Sequence, residues 1–350
     1  MPVLLLTLLC LLTAGCDTPE PVAESTNTTL ILWNWPNYMT EDVLRGFTQE
    51  TGIRVDQRIF GDEEILLGAM QGLDFNADLL IISESLGREL IQARLVAPLD
   101  PDLLPNLSHI DQDSLALCAQ QGQLYSAPYL AGTTGIAINI KHVPETTDSW
   151  DILWNEELRG HVAMLSNNFE VVAAAAMKLG FGIAATTAEQ FSAVEAELVR
   201  QRPLLKGYLP VDEITEGLVR GELWAAHIYS GDALGAVELN SDLRYFVPRE
   251  GAVRWLDMIM VSRPSMHIKE AHAFINYLHR PGVMAKLSED LHSATPNAAA
   301  RALVSKAILA DPQVYPSPEI LARCAFFPVR DPDGTSAQRT SELWNALTAP

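Results

Sequence analysis

Between Leu30 and Ile82 the chain alternates short apolar runs with amphipathic stretches, and this alternation restricts the fold more than any other feature. Leu30–Trp33 reads as a strand. Thr40 is placed to cap a helix over Glu41–Thr51, with Val43, Leu44 and Phe47 on one face and Gly52 as its stop. Ile53–Ile59 reads as a second strand, Glu63–Gln71 as a helix and Ala77–Ile82 as a fully apolar third strand. Strands separated by helices imply a mostly parallel sheet covered on both faces, which is the α/β class. The first strand is not followed by a glycine-rich phosphate loop, which argues against a nucleotide domain.

A break is expected at Ala127-Pro128-Tyr129-Leu130-Ala131-Gly132. Beyond it, Ile136–Ile140, Val162–Leu165, Leu223–Tyr229, Tyr245–Pro248 and Val253–Val261 read as strands. Ser149–Gly160, Phe169–Leu179, Ile214–Arg220, Ile268–Leu278 and Gly282–Leu291 read as helical. About 320 residues follow position 29, enough for two domains with real cores.

The amino-terminal segment points to export. Leu4–Leu12 is an apolar run too short to span a bilayer as a mature helix. It ends in Thr13-Ala14-Gly15-Cys16, which resembles a bacterial lipoprotein signal, cleaved after residue 15 and lipidated on Cys16. Thr13 stands where leucine is usual, and no Lys or Arg precedes Cys16 to form a basic leading region. Asp17 resembles an inner-membrane retention signal. Residues 16–29, rich in Pro, Glu, Ser and Thr, read as a lipidated cysteine and disordered tether. The only other cysteines beyond the leader are Cys118 and Cys324. An even pair in an oxidising compartment invites a disulfide, the alternative being two buried thiols.

The formal charge is -20, from 44 acidic and 24 basic residues. Such a surface repels nucleic acid and anionic lipid and attracts a cation. No motif of catalysis or of a resident cofactor emerges. Gly180-Phe181-Gly182-Ile183-Ala184-Ala185 follows a helix rather than a strand, the wrong context for a dinucleotide. The eight histidines show no metal-ligand spacing, and no G-x-S-x-G elbow is present.

What does emerge is a set of aromatic and acidic residues at strand ends. Trp33, Trp35 and Tyr38 crowd the end of the first strand, where open α/β sheets bind ligands, in a chain only 7% aromatic. They suit a cation or an apolar ring, or else fill the core. Trp255 and Asp257, two apart in a strand, share one face. Asp232 follows the strand ending at Tyr229, where an Asp also suits a turn. Glu170 stands three residues after Asn167, either as a ligand acid or as half of a capping box.

The blocks Trp33-Asn34-Trp35-Pro36-Asn37-Tyr38, Asp78-Leu79-Leu80-Ile81-Ile82-Ser83, Ser126-Ala127-Pro128-Tyr129, Pro248-Arg249-Glu250-Gly251, Trp255-Leu256-Asp257 and Thr295-Pro296-Asn297 stand in an order and spacing that resemble the bacterial periplasmic spermidine/putrescine-binding proteins. The resemblance runs from Leu30 onward. It implies a two-lobed periplasmic-binding-protein fold, with a mostly parallel sheet in each lobe and the ligand cleft between them. Lobe one would comprise residues 30–129 plus about 256–300, and lobe two 130–255 plus about 301–350. It also implies cage aromatics at Trp35, Tyr38, Tyr229 and Trp255, and ammonium-binding acids at Glu170, Asp257 and Asp232. Ser85 matches a serine of putrescine-type members. Asn37 stands where an acid is usual, Asn167 where the spermidine type has an aspartate, and Ser293 where a tyrosine is usual. Phe327 falls near a glutamine position. These changes favour putrescine over spermidine and leave room for another amine.

The resemblance implies a monomeric, cofactor-free, metal-free binding protein that is no enzyme and serves the permease of an ABC importer, held to the inner membrane by lipid only. A sensory lipoprotein, or a receptor for another amine or a non-amine solute, is the alternative. Metabolic labelling with a palmitate analogue is expected to mark the wild-type chain and not Cys16→Ala; equal labelling of both refutes lipidation.

Overall fold

The computed structural model describes residues 28–73, 75–328 and 335–349. The expected leader, Cys16 and the tether as far as residue 27 lie outside the described residues. The strands are β1 (Thr29–Asn34), β2 (Arg54–Ile59), β3 (Leu79–Ser83), β4 (Val96–Ala97), β5 (Ala119–Gln120), β6 (Gln123–Leu124), β7 (Ser126–Asn139), β8 (Val162–Leu165), β9 (Leu205–Leu209), β10 (Ala225–Tyr229), β11 (Leu243–Phe246) and β12 (Val253–Ser262).

Two parallel sets are joined by two crossing strands. β1 lies between β2 and β3, parallel to both. β8 lies between β9 and β10, again in parallel. Between the sets run β12 and β7, antiparallel to each other and to their outer neighbours β3 and β10. The result is one continuous sheet in the order β2-β1-β3-β12-β7-β10-β8-β9, with β4 beside β12 and β11 beside β7. This is the two-lobed periplasmic-binding-protein fold that the sequence led us to expect.

The central parallel strands β3 and β8 are buried on both faces, whereas the edge strands β2 and β9 are partly exposed. Leu79 and Ile81 pack with Leu30, Leu32, Phe47 and Phe274 on one side. Leu80 and Ile82 pack with Leu66, Leu86 and Leu90 on the other. In the second lobe Val162 and Met164 face Trp150 and Val171, whereas Ala163 and Leu165 face Leu218 and Ile228. Full burial of one such side chain contributes roughly 1.5–3 kcal/mol. Val304 and Ile308 belong to the first lobe's core, and the Tyr315 hydroxyl lies within hydrogen-bonding distance of Ser288 Oγ.

The helix Glu41–Thr51 buries Val43, Leu44 and Phe47 and stops at Gly52, whose φ of 74° is the left-handed conformation open to glycine. Thr40 precedes the helix in extended conformation, but its side chain makes no capping bond; its carbonyl instead accepts from the backbone N–H groups of Val43 and Leu44. The expected break between units at Ala127–Gly132 does not interrupt the secondary structure. These residues lie inside β7, which runs 14 residues from Ser126 to Asn139. Pro128, which suggested a break, is accommodated because it pairs with Met258, where the β7–β12 register shifts between Leu256 and Met258. Its carbonyl is hydrogen-bonded by the His279 ring at 2.8 Å.

The disulfide is also corrected: Cys118 and Cys324 are both free and buried. Cys118 is enclosed with Leu256 and Met258, and burial pushes its thiol up to about 12. The Cys324 thiol donates to the Ile320 carbonyl at 3.3 Å instead. Each thiol thus has its own enclosed site. Among the described residues, no helix is long and apolar enough to cross a membrane. A domain beginning at residue 28 is expected to show two titratable thiols in denaturant without reductant and an unchanged melting temperature in dithiothreitol. Absence of free thiol would restore the bridge.

Candidate functional site

The carboxyl ends of the parallel strands in both lobes open onto one cleft of about 610 Å³. After β1 come Trp35, Asn37 and Tyr38; after β3 comes Ser85; after β8 come Asn167 and Glu170; after β10 come Asp232 and the end residue Tyr229. Trp255 and Asp257 enter from the crossing strand β12. All nine residues singled out from the sequence as ligand-binding line this cleft. Trp33, the first aromatic of the opening stretch, does not. Its ring packs against Phe75 and its Nε1 donates to the Asn76 carbonyl at 2.9 Å, so it is structural.

Local geometry aims these side chains. Asn37 sits at φ 52°, a left-handed turn position that asparagine tolerates better than most residues, and it reverses the chain so that Tyr38 turns inward. The Tyr38 ring lies edge-on to Trp255, with centroids 6.4 Å apart at 71°. Trp255 pairs with Gly132 of β7, and a methyl group at Gly132 would collide with its indole. Trp35 packs against Phe60 at 4.4 Å.

The capping-box alternative for Glu170 is half realised. The helix Asn168–Lys178 starts with the Asn167 side chain accepting from Glu170 N at 3.2 Å. The Glu170 carboxylate does not reciprocate; its Oε1 accepts from Thr134 Oγ1 of β7 at 2.9 Å. Glu170 is 4% exposed, and its Oε2 has no hydrogen-bond partner in the protein. The nearest base is His227 Nε2 at 3.8 Å, on a ring that burial drives down to about 3 and so holds neutral. Trp35 Nε1 and Trp255 Nε1 are likewise buried without a hydrogen-bond partner.

Seven carboxylates line the cleft: Asp62, Glu63, Glu170, Asp212, Asp232, Asp257 and Asp290. Neither Lys nor Arg is among the described lining residues. Burial, the largest cause in each case, pushes Glu170 up to about 8, Asp257 to about 7 and Asp232 to about 6. Hydrogen bonds from Thr134 and Tyr38 oppose the rise at Glu170 and Asp257, whereas the Glu63 charge adds to it at both. Burial first, and then the surrounding carboxylates, also raise the Tyr38 and Tyr229 phenols well above their ordinary range. A cation entering this space meets groups whose ionised form it would stabilise. The aromatic faces add cation–π attraction of about 2 kcal/mol when desolvated.

Sequence reasoning passed over Glu63, Asp62, Asp212 and Asp290. The signal for the first two was present: Asp62-Glu63-Glu64 follows the second strand directly, at the sheet edge where ligands bind. Ser293 and Phe327 also line the cleft. Among the described residues, no group of three His, Cys, Asp or Glu is placed to hold a metal ion.

Comparison with known proteins places the chain in a class. Residues 74–312 match the family of bacterial extracellular solute-binding proteins, and the chain belongs to that family. Within it the resemblance to spermidine/putrescine-binding proteins holds. The putrescine-binding periplasmic protein of Pseudomonas aeruginosa is 29% identical over 341 residues, covering 92% of each chain. The spermidine/putrescine-binding periplasmic protein of Escherichia coli is 29% identical over 297 residues, covering 84% of this chain and 85% of its own. The structure of the spermidine/putrescine ABC transporter substrate-binding protein of Streptococcus pneumoniae superposes with a TM-score of 0.76 at 25% identity, covering 91% of this chain and 98% of that one.

The raised carboxylates fix a sign. The folded chain holds the Glu170 and Asp257 protons more tightly than the unfolded chain does, so the stability these two groups contribute is full at low pH and is lost as pH rises from their ordinary values of 4.5 and 3.8 through about 8 and about 7. Thermal unfolding of the free protein is expected at lower temperature at pH 8 than at pH 5.5, and Glu170→Gln should flatten the slope. A wild-type profile that rises over this window would refute the assignment.

Proposed function

We propose that this protein captures a polyamine in the interlobe cleft and presents it to the permease of an ABC importer. The observation that carries this reading is the cleft lining: seven carboxylates and the aromatics Trp35, Tyr38, Tyr229 and Trp255, with neither Lys nor Arg among the described lining residues. An anionic or neutral solute would find no compensation for this charge, whereas a flexible cation with a methylene chain fits both components. Glu170, Asp232 and Asp257 act as ammonium acceptors, Tyr38, Tyr229, Trp35 and Trp255 as walls, and Asn37 and Ser85 as polar partners. Putrescine, with an ammonium at each end, is the favoured ligand and spermidine the second. The Pseudomonas aeruginosa and Escherichia coli relatives described above are named for putrescine and for spermidine and putrescine.

Affinity follows from a few strong contacts. Charge-assisted hydrogen bonds contribute roughly 1.5–3 kcal/mol each, so three with one aromatic contact reach the approximately 8 kcal/mol of micromolar binding. A ligand touching both lobes favours the closed form by its differential affinity for it. In this reading lobe one is residues 30–129 plus the return from 256, and lobe two is 130–255 plus the carboxyl-terminal segment. We draw the second boundary beyond Tyr315 rather than near 300, a choice supported by the packing of Val304 and Ile308 with the first core. Lipidation at Cys16 holds the monomeric protein at the inner membrane beside its permease.

Calorimetry on the tether-free protein should show saturable putrescine binding that Asp257→Ala weakens about tenfold or more, the loss of one charge-assisted contact. Because the cation must displace protons from Glu170 and Asp257, affinity should rise between pH 6 and pH 8. No detectable binding of diamines or triamines would sink the polyamine reading.

A further inference from the structure

Glu63 is the first residue of the helix Glu63–Met70, whose amino end is fixed by Asp62 accepting from Ile65 N at 2.8 Å. Two sets of contacts aim it. On one side the Ser83 hydroxyl donates to its Oε1, and Ser83 is the β3 residue paired directly with Asp257 of β12. On the other side its neighbour Glu64 reaches across to the second lobe. Glu64 Oε1 accepts from Asn168 Nδ2 at 2.9 Å and from Ser341 Oγ at 3.4 Å. Asn168 begins the helix that carries Glu170. Glu63 is thereby tied through one hydrogen bond to the strand position opposite Asp257, and through its neighbour to the helix turn that bears Glu170. All three carboxylates line the same cleft.

This places a third acid where the sequence alone suggested a deficit. Asn37 and Asn167 take the places of acids, and Glu63 returns negative charge to the lobe-one side of the cleft. A second observation points to a ligand at this spot. Glu170 is 4% exposed, it lines the cleft, and its Oε2 carries no hydrogen-bond partner in the protein. A primary ammonium has three N–H donors, and three carboxylates are the acceptors that satisfy them; a secondary ammonium has two donors and a quaternary one none. The Glu63 charge raises the affinity of both Glu170 and Asp257 for a proton, so each of the two senses it.

We propose that Glu63 is a ligand-binding residue that completes, with Glu170 and Asp257, a three-carboxylate cradle for one primary ammonium of the bound amine. The proposal rests on the polyamine reading above and deepens it: it assigns one end of the cleft to a terminal amino group and makes that end selective against N-methylated nitrogen.

The test is calorimetry with putrescine and with N,N,N′,N′-tetramethylputrescine on the wild type, Glu63→Gln and Glu63→Ala, with thermal unfolding of each protein free of ligand. Putrescine affinity is expected to fall about tenfold or more in both variants, the loss of one charge-assisted contact. The preference for putrescine over the methylated amine should shrink with it. Free melting temperature should hold or rise, because a carboxylate is removed from beside two others. A purely structural Glu63, serving only Ser83 and the helix end, would lower the melting temperature and leave affinity within about threefold of wild type, which overturns the proposal. If the variants bind putrescine as the wild type does, the cradle fails and the polyamine reading stands. If the wild type binds neither amine, nor spermidine, both fall.

Discussion

The antiparallel pairing of β7 with β12 is the constraint on which the rest of the structure depends. These two strands are the only link in the ten-stranded sheet between the parallel set β2-β1-β3 and the parallel set β10-β8-β9. They also carry the floor of the cleft. Trp255 and Asp257 project from β12, Gly132 of β7 leaves space for the Trp255 indole, and Thr134 of β7 holds the Glu170 carboxylate. The register shift at Leu256/Met258 lies beside Asp257, where a bulge re-aims a side chain. The strands that join the two halves of the sheet thus also line the cleft.

The cleft is electrostatically unfinished within the protein. Carboxylates that burial pushes up to about 8, 7 and 6 at Glu170, Asp257 and Asp232 are held in a space that stabilises their charge poorly. Natural folds tolerate such an arrangement where it serves function, because perturbed groups cluster at sites. The buried indole nitrogens of Trp35 and Trp255, together with Glu170 Oε2, add donors and an acceptor with no hydrogen-bond partner in the protein. The second lobe's buried His227, held neutral by the same desolvation, backs Glu170 without neutralising it.

Much of this was legible in the sequence because its signals are local. Alternation of apolar runs and amphipathic stretches placed β1, β2, β3, β8 and the helices Glu41–Thr51 and Ile268–Leu278 close to their observed bounds; for β3 and β8, burial on both faces of a parallel strand leaves a continuous apolar run. The nine cleft-lining residues were legible because they lie near strand ends or on one face of a strand and because the motif blocks resemble a known family. What failed was whatever depends on a distant partner. Pro128 reads as a break, yet a register irregularity on β12 accommodates it. Cys118 and Cys324 read as a pair, yet each is enclosed separately. For Glu170 the sequence left a ligand acid and half of a capping box as alternatives, and Thr134 of another strand takes the carboxylate.

The sequence by itself therefore determined the α/β class, the family and the placement of Trp35, Tyr38, Tyr229 and Asp232 near strand ends and of Trp255 and Asp257 on one strand, because periodicity and motif spacing are properties of neighbouring residues. Only the tertiary structure decided what Trp33 packs against, that Glu63 joins the acids of the cleft and that Glu64 bridges the lobes through Asn168 and Ser341. Those facts turn on which side chains meet across more than 40 residues of chain, and a sheet that crosses twice between its halves sets those meetings through backbone pairing that local sequence patterns do not encode.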